Sequence, residues 1–190
     1  DTANDSTDDT ADKCAREEFY GRHGGDLQGM IDHLDYIADL GMTAIWSTPL
    51  LLDNEPFASY HGYACADYYH IDPRMGSNEL YREYVDEAHK RDIKIIMDIV
   101  TNHCGIAHWW IEDLPFEDWI HRFDNDEYVQ TNNMFSTNMD PNASQYDLQV
   151  QESGWFDRSM PDMNLNNPYL LQYFKQWTVW WIEWADLDGL

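Results

Sequence analysis

The sequence predicts an α/β fold, a parallel sheet with helices packed outside it. Two short apolar runs, residues 42–46 and 93–100, have the length of buried strands, and the second is rich in Ile. Amphipathic helical stretches alternate with them over residues 26–38, 77–91 and 168–185. Neither run is followed by GxGxxG or GxxxxGK[ST], so nothing points to a nucleotide. Alternation of strand and helix argues for parallel strands. A closed barrel and an open doubly wound sheet both satisfy it.

Residues 1–25 read as loop, rich in Asp, Thr, Ser, Asn and Gly without a sustained period. Asp26 can cap the first helix, where Leu27, Met30, Ile31, Leu34, Ile37 and Ala38 fall at helical spacing up to a stop at Gly41. Residues 42–46 form the first strand, ended by Ser47, Thr48 and Pro49. A polar, aromatic loop is expected from Tyr60 through Pro73. Ser77 caps the second helix, with Leu80, Tyr84, Val85 and Ala88 on one face. The second strand, 93–100, carries Asp98 near its C-terminal end. Residues 103–162 are long and irregular, as functional excursions or small subdomains are. Pro168 sits where a helix tolerates it, at the first turn of the third helix. In that helix Trp177, Trp180, Trp181 and Trp184 form a stripe better read as core than as a sugar platform. Residues 186–190 lead into a further strand.

The chain has 190 residues, 43% hydrophobic, enough for one sizeable core. No apolar run reaches the roughly 18 residues a membrane helix needs. It opens on Asp-Thr-Ala-Asn-Asp, without a signal-peptide pattern, and the expectation is a start cut inside a polar loop. Its 36 acidic residues against 11 basic ones leave a net charge of −25. Such a surface repels nucleic-acid phosphates and anionic membranes. It suits a neutral sugar or a cation such as calcium, although solubility alone accounts for most of the charge. Cys14, Cys65 and Cys104 lack CxxC spacing, so neither a disulfide framework nor a zinc site is supported.

Function in parallel barrels sits at the C-terminal ends of the strands. After the first strand comes Tyr60-His61-Gly62-Tyr63, and after the second come Asp98 and Asn102-His103. Aromatic faces stack on sugar rings and imidazoles hydrogen-bond hydroxyls, but each residue alone is a weak signal. Jointly they resemble the α-amylase-type glycoside hydrolases, family 13. Asp98-Ile99-Val100-Thr101-Asn102-His103 matches that family's DxxxNH segment after the third strand. Tyr60-His61-Gly62-Tyr63 with Asp67-Tyr68-Tyr69 and Ile71-Asp72-Pro73 is similar to its YHGY and DYY-ID stretch. Met160-Pro161-Asp162-Met163-Asn164 resembles the MPDLN motif that closes an inserted domain B. Asp188-Gly189-Leu190 resembles the start of the strand-four motif, ahead of its Arg and Asp. Gly24-Gly25-Asp26-Leu27-Gln28-Gly29 resembles the approach to the first barrel helix. The neopullulanase and cyclomaltodextrinase branch is the most similar.

The resemblance implies a partial (β/α)8 TIM barrel with an irregular domain B inserted after the third strand. Residues 1–102 would be the first part of the barrel, 103–164 domain B, and 165–190 the third helix and the start of strand four. It implies a retaining hydrolase of α-glucosidic bonds in maltodextrins, pullulan, cyclodextrins or starch fragments, with transglycosylation or a non-catalytic sugar-binding or transporter-associated role as alternatives. Such enzymes use two carboxylates about 5–5.5 Å apart. Neither lies in this chain: the nucleophilic Asp is expected just after Leu190, so the chain alone should be inactive. Tyr63 would stack on the sugar beside the cleaved bond, and His61 and His103 would hydrogen-bond its hydroxyls. Asp98 would hold the expected Arg, and Asn102 would be structural or a metal ligand. Ala64-Cys65 departs from the bulkier pair of many relatives and leaves the outer sugar contacts open. Asp1, Asn4, Asp5, Gly24 and Asp26 match parts of a calcium loop of oxygen ligands. The implied partner is an α-glucan oligosaccharide or polysaccharide, with no nucleic acid and no membrane, and a homodimer as an option. The expected compartment is periplasmic or otherwise extracytoplasmic, with the cytoplasm as the alternative.

Overall fold

Asp26 starts the first helix, its carboxylate accepting the Gly29 N–H at 2.8 Å. The computed structural model describes residues 19–56, 58–124, 128–132 and 135–190. Where the periodicity predicts one helix there are two, α1 (Leu27–Asp32) and α2 (Leu34–Asp39), separated at His33. The His33 backbone has left helical geometry and its N–H turns back to Met30 O, so the apolar spacing carries across a break it does not reveal.

Strand β1 (Ala44–Trp46) pairs in parallel with a later strand, Lys94–Ile96, in the register Ala44↔Lys94, Ile45↔Ile95 and Trp46↔Ile96. Between them in sequence lie β2 (Leu51–Asp53), β3 (Cys65–Ile71) and α3 (Asn78–His89), so Lys94–Ile96 is β4. Ser77 Oγ caps α3 by accepting from Leu80 N at 3.1 Å. On the other side of β4, Gly189 forms a parallel bridge to Ile96, and Met97 N donates to Gly189 O at 3.1 Å. Three neighbouring parallel positions result, with helices against them, as the alternating pattern predicts.

Two expectations need correction. The run 42–46 reads as a buried strand, yet β1 is largely open and Trp46 is 70% exposed. Strand β1 has a partner on one side only among the described residues, so nothing covers its outer edge. The stretch 60–73 reads as loop, yet β3 lies within it and pairs antiparallel with β2. Polar residues such as Asp67 and His70 alternate with buried Ala66 and Tyr68, and the register shifts on either side of Leu52, which blurs the pattern.

Beyond residue 103 the chain is irregular, with α4 (Phe135–Met139), α5 (Gln145–Ser153) and isolated bridges, His103↔Asp162 and Ile120↔Met163 among them. It ends at α6 (Pro168–Ala185), where the Asn167 side chain caps Tyr169 N at 2.9 Å. The tryptophan stripe is core. Trp177 and Trp181 are fully buried, while Trp180 and Trp184 stack on each other at 5.0 Å and pack against the same cluster. Among the described residues no helix is long and apolar enough to cross a membrane.

Trp181→Ala should cost about 3–5 kcal/mol of unfolding free energy, because it opens a large hole in the core. Val179→Ala, at an exposed position of the same helix, should stay within about 0.5 kcal/mol. Denaturant titration of the intact protein checks both.

Candidate functional site

The loop between β2 and β3 and the loop leaving β4 meet at one locus. Gly62 makes the first of them possible. Its φ is +77°, and a Cβ there would lie 2.2 Å from Pro49 O, so no other residue fits. This turn sets His61 beside Tyr63, with ring centroids 5.8 Å apart. The Tyr63 backbone N–H donates to His61 Nδ1 at 2.9 Å. The ring hydrogen of His61 therefore sits on Nε2, which makes that nitrogen a donor.

His103 comes from the second loop. Its Nε2 lies 3.1 Å from Tyr63 O, and since a carbonyl only accepts, that nitrogen carries the hydrogen. Nδ1 is then left to accept from the Asn102 amide, 3.4 Å away. The ring stacks on Phe156 at 5.2 Å and is 6% exposed. Burial holds His103 below the usual histidine range. The structure thus brings His61, Tyr63 and His103 together, and commits His103 Nε2 to the Tyr63 backbone.

Asn102 ties this loop to the returning chain, its carbonyl accepting from Met163 N at 2.9 Å. Next to Met163, the Asp162 carboxylate lies 2.6 Å from His121 Nδ1. Burial raises Asp162, with the His121 contact opposing. Asp98 stands apart from these groups. It accepts from Trp46 Nε1 at 3.0 Å and lines a cavity of about 520 Å³ with Trp46, Ile96, Met97, Ile99, Thr101 and Leu190.

Of the candidate calcium ligands, Asp1, Asn4 and Asp5 lie outside the described residues, as does Cys14. Gly24 has a φ of +94°, and one Asp26 carboxylate oxygen is engaged in capping α1. Carboxylate and carbonyl oxygens are the chemistry calcium takes, but it needs roughly six to eight of them. Among the described residues no group of three or more His, Cys, Asp or Glu side chains could hold a metal ion. Cys65 and Cys104 are buried free thiols. Burial pushes Cys104 up to about 12, too high to supply a thiolate nucleophile.

Two carboxyls beneath the site have little sequence signal beyond Asp53 ending the run Leu50-Leu51-Leu52. Asp53 is fully buried; its oxygens accept from Glu55 N at 3.1 Å and Ala64 N at 3.2 Å, and Oδ2 lies 3.5 Å from His61 Nδ1. Burial raises Asp53 against those bonds. Glu55 Oε1 accepts from Ile106 N at 3.0 Å. Its Oε2 is buried with no hydrogen-bond partner among the described residues. Burial first, and then the neighbouring Asp53, push the Glu55 carboxyl up to about 7, with Asp157 adding to the rise.

Parallel strands with helices outside, and polar loops gathered where the strands end, place this chain in the α/β class whose functional groups sit at the strand ends. The alpha amylase catalytic-domain family matches residues 1–190, and the chain belongs to that family, most like its cyclomaltodextrinase and neopullulanase branch. A cyclomaltodextrinase of Geobacillus thermopakistaniensis is 35% identical over 87% of this chain and 26% of its own length. An intracellular maltogenic amylase of Bacillus subtilis is 34% identical over 87% of this chain and 26% of its own. The solved alpha-amylase of Geobacillus thermoleovorans, complexed with acarbose, superposes with a TM-score of 0.73 at 34% identity, over all of this chain and 36% of that one. The chain therefore spans about a quarter of the length of the curated relatives it matches.

Folding favours the protonated form of Glu55. Its stabilising share is full below the ordinary glutamate value of 4.5 and is lost as pH rises to about 7. Glu55→Gln has no such titration. Thermal unfolding across that range should show the variant's midpoint gaining on wild type by several degrees as pH rises. A constant difference would mean that Glu55 does not titrate there.

Proposed function

We propose that this chain is the front of the catalytic barrel of a retaining glycoside hydrolase acting on α-glucosidic bonds in maltodextrins, pullulan, cyclodextrins or starch fragments. The observation that carries the reading is the meeting of His61, Tyr63 and His103 at one locus in a chain matched by the alpha amylase family along its whole length. The relatives' names, cyclomaltodextrinase and maltogenic amylase, supply the substrate class.

In this reading Tyr63, 37% exposed, offers its ring face to a glucosyl unit. His61 points its Nε2–H at a sugar hydroxyl. His103 holds the Tyr63 backbone in place, and Asn102 holds the His103 ring. Hydrogen bonds that strengthen as the sugar ring flattens lower the barrier. The nucleophile and the acid come from positions beyond Leu190, and Asp98 orients the former through an arginine. Residues 103–164 act as domain B, closing over the site from the His103↔Asp162 junction. The acidic opening binds calcium, with Gly24 and Asp26 as its second half. The relative named intracellular supports the cytoplasmic alternative over an extracytoplasmic one.

The intact protein should release reducing sugar from at least one of maltodextrin, pullulan or β-cyclodextrin; inactivity on all of them would end the reading. Tyr63→Ala should lower kcat/KM about tenfold, as the loss of one ring stack implies. Chelation should lower the thermal midpoint, with calcium restoring it. An unchanged midpoint removes calcium.

A further inference from the structure

The loop bearing His61 and Tyr63 leaves β2 at Asp53 and rejoins the sheet at Cys65. The loop bearing His103 continues into Gly105 and Ile106. These two segments touch with almost no space between them. Gly105 N donates to Cys65 O at 2.7 Å. A Cβ on Gly105 would lie 2.3 Å from Ala64 O and 3.1 Å from Glu55 Oε1. Asp53 holds both ends of the first loop, at Glu55 N and Ala64 N. Glu55 then reaches across to Ile106 N, which also donates to Ser159 O at 2.7 Å.

We propose that Glu55 is a positioning residue for the sugar site: its buried carboxyl fastens the loop carrying His61 and Tyr63 to the loop that follows His103, and so sets the distance between the groups that grip the substrate. Asp53 alone cannot do this, because both backbone groups it accepts from belong to its own hairpin. Without Glu55, Ile106 N keeps Ser159 O alone among the described residues, and the two loops stay joined by the Gly105–Cys65 and His103–Tyr63 bonds. Slippage at such a junction is costly, since misplacing a binding group by about 1 Å lowers turnover about a hundredfold. The consequence for turnover rests on the hydrolase reading, while the geometric claim does not.

The test compares Glu55→Ala, Glu55→Gln and Val85→Ala in the intact protein. Val85 is fully buried in α3 and belongs to the core cluster. Its truncation supplies a destabilised control. Glutamine retains a side-chain oxygen for Ile106 N. Well below the melting midpoints, Glu55→Ala should lower kcat/KM on maltoheptaose about ten- to hundredfold. Glu55→Gln should recover most of the loss, and Val85→Ala should leave kcat/KM near wild type. Without substrate, the imidazole nitrogen resonances of His61 and His103 should move in Glu55→Ala and stay put in Val85→Ala. Unmoved resonances in Glu55→Ala, or equal losses of kcat/KM in Glu55→Ala and Val85→Ala, overturn the proposal. A wild type that turns over no α-glucan refutes the hydrolase reading instead, and the resonances still decide the role of Glu55.

Discussion

Tyr68 is the residue on which the arrangement depends. It lies on β3, is fully buried, and stacks on Trp177 of α6 with centroids 5.1 Å apart. Its carbonyl accepts from Trp181 Nε1 at 2.8 Å, and its hydroxyl donates to His103 O at 3.3 Å. One side chain therefore joins the hairpin, the long helix and the loop that carries His103. Burial holds the phenol well above its usual range, so it remains a donor. Large aromatic side chains bury roughly 150–250 Å² each. At about 25 cal/mol per Å² they supply the largest local share of the hydrophobic term. The position of a site residue is thereby tied to the packing of α6 on β3.

The few acids inside this acidic chain are each handled differently. Asp72 lies between Arg22 and Arg74, at 3.2 Å and 2.8 Å. Asp162 has His121, and Asp53 has two backbone N–H groups of its own hairpin. Glu55 is the least satisfied, with one buried oxygen lacking a partner among the described residues. An unmet buried polar atom costs stability. Here that cost falls where the two site-bearing loops meet, which links the electrostatics of the interior to the geometry of the site.

Much was legible where the signal is local. The Ser77 and Asp26 caps, the bounds of α6 and the inward face of its tryptophans follow from residues three or four apart. The coming strand at residue 189 also followed. The β2–β3 hairpin was missed because its pairing is irregular and its alternation is interrupted by polar residues. The break at His33 was missed because apolar spacing continues through it.

By itself the sequence determined the starts of α1, α3 and α6, the alternation of strand and helix, and the identities of the groups at the strand ends. Those depend on neighbours along the chain, through capping, periodicity and turn chemistry. Only the tertiary structure decided that Trp46 faces outward, that His103 spends its Nε2–H on the Tyr63 carbonyl, and that Glu55 reaches Ile106. These depend on which segments touch in space. A hydrogen bond between residues 51 positions apart leaves no trace in local pattern.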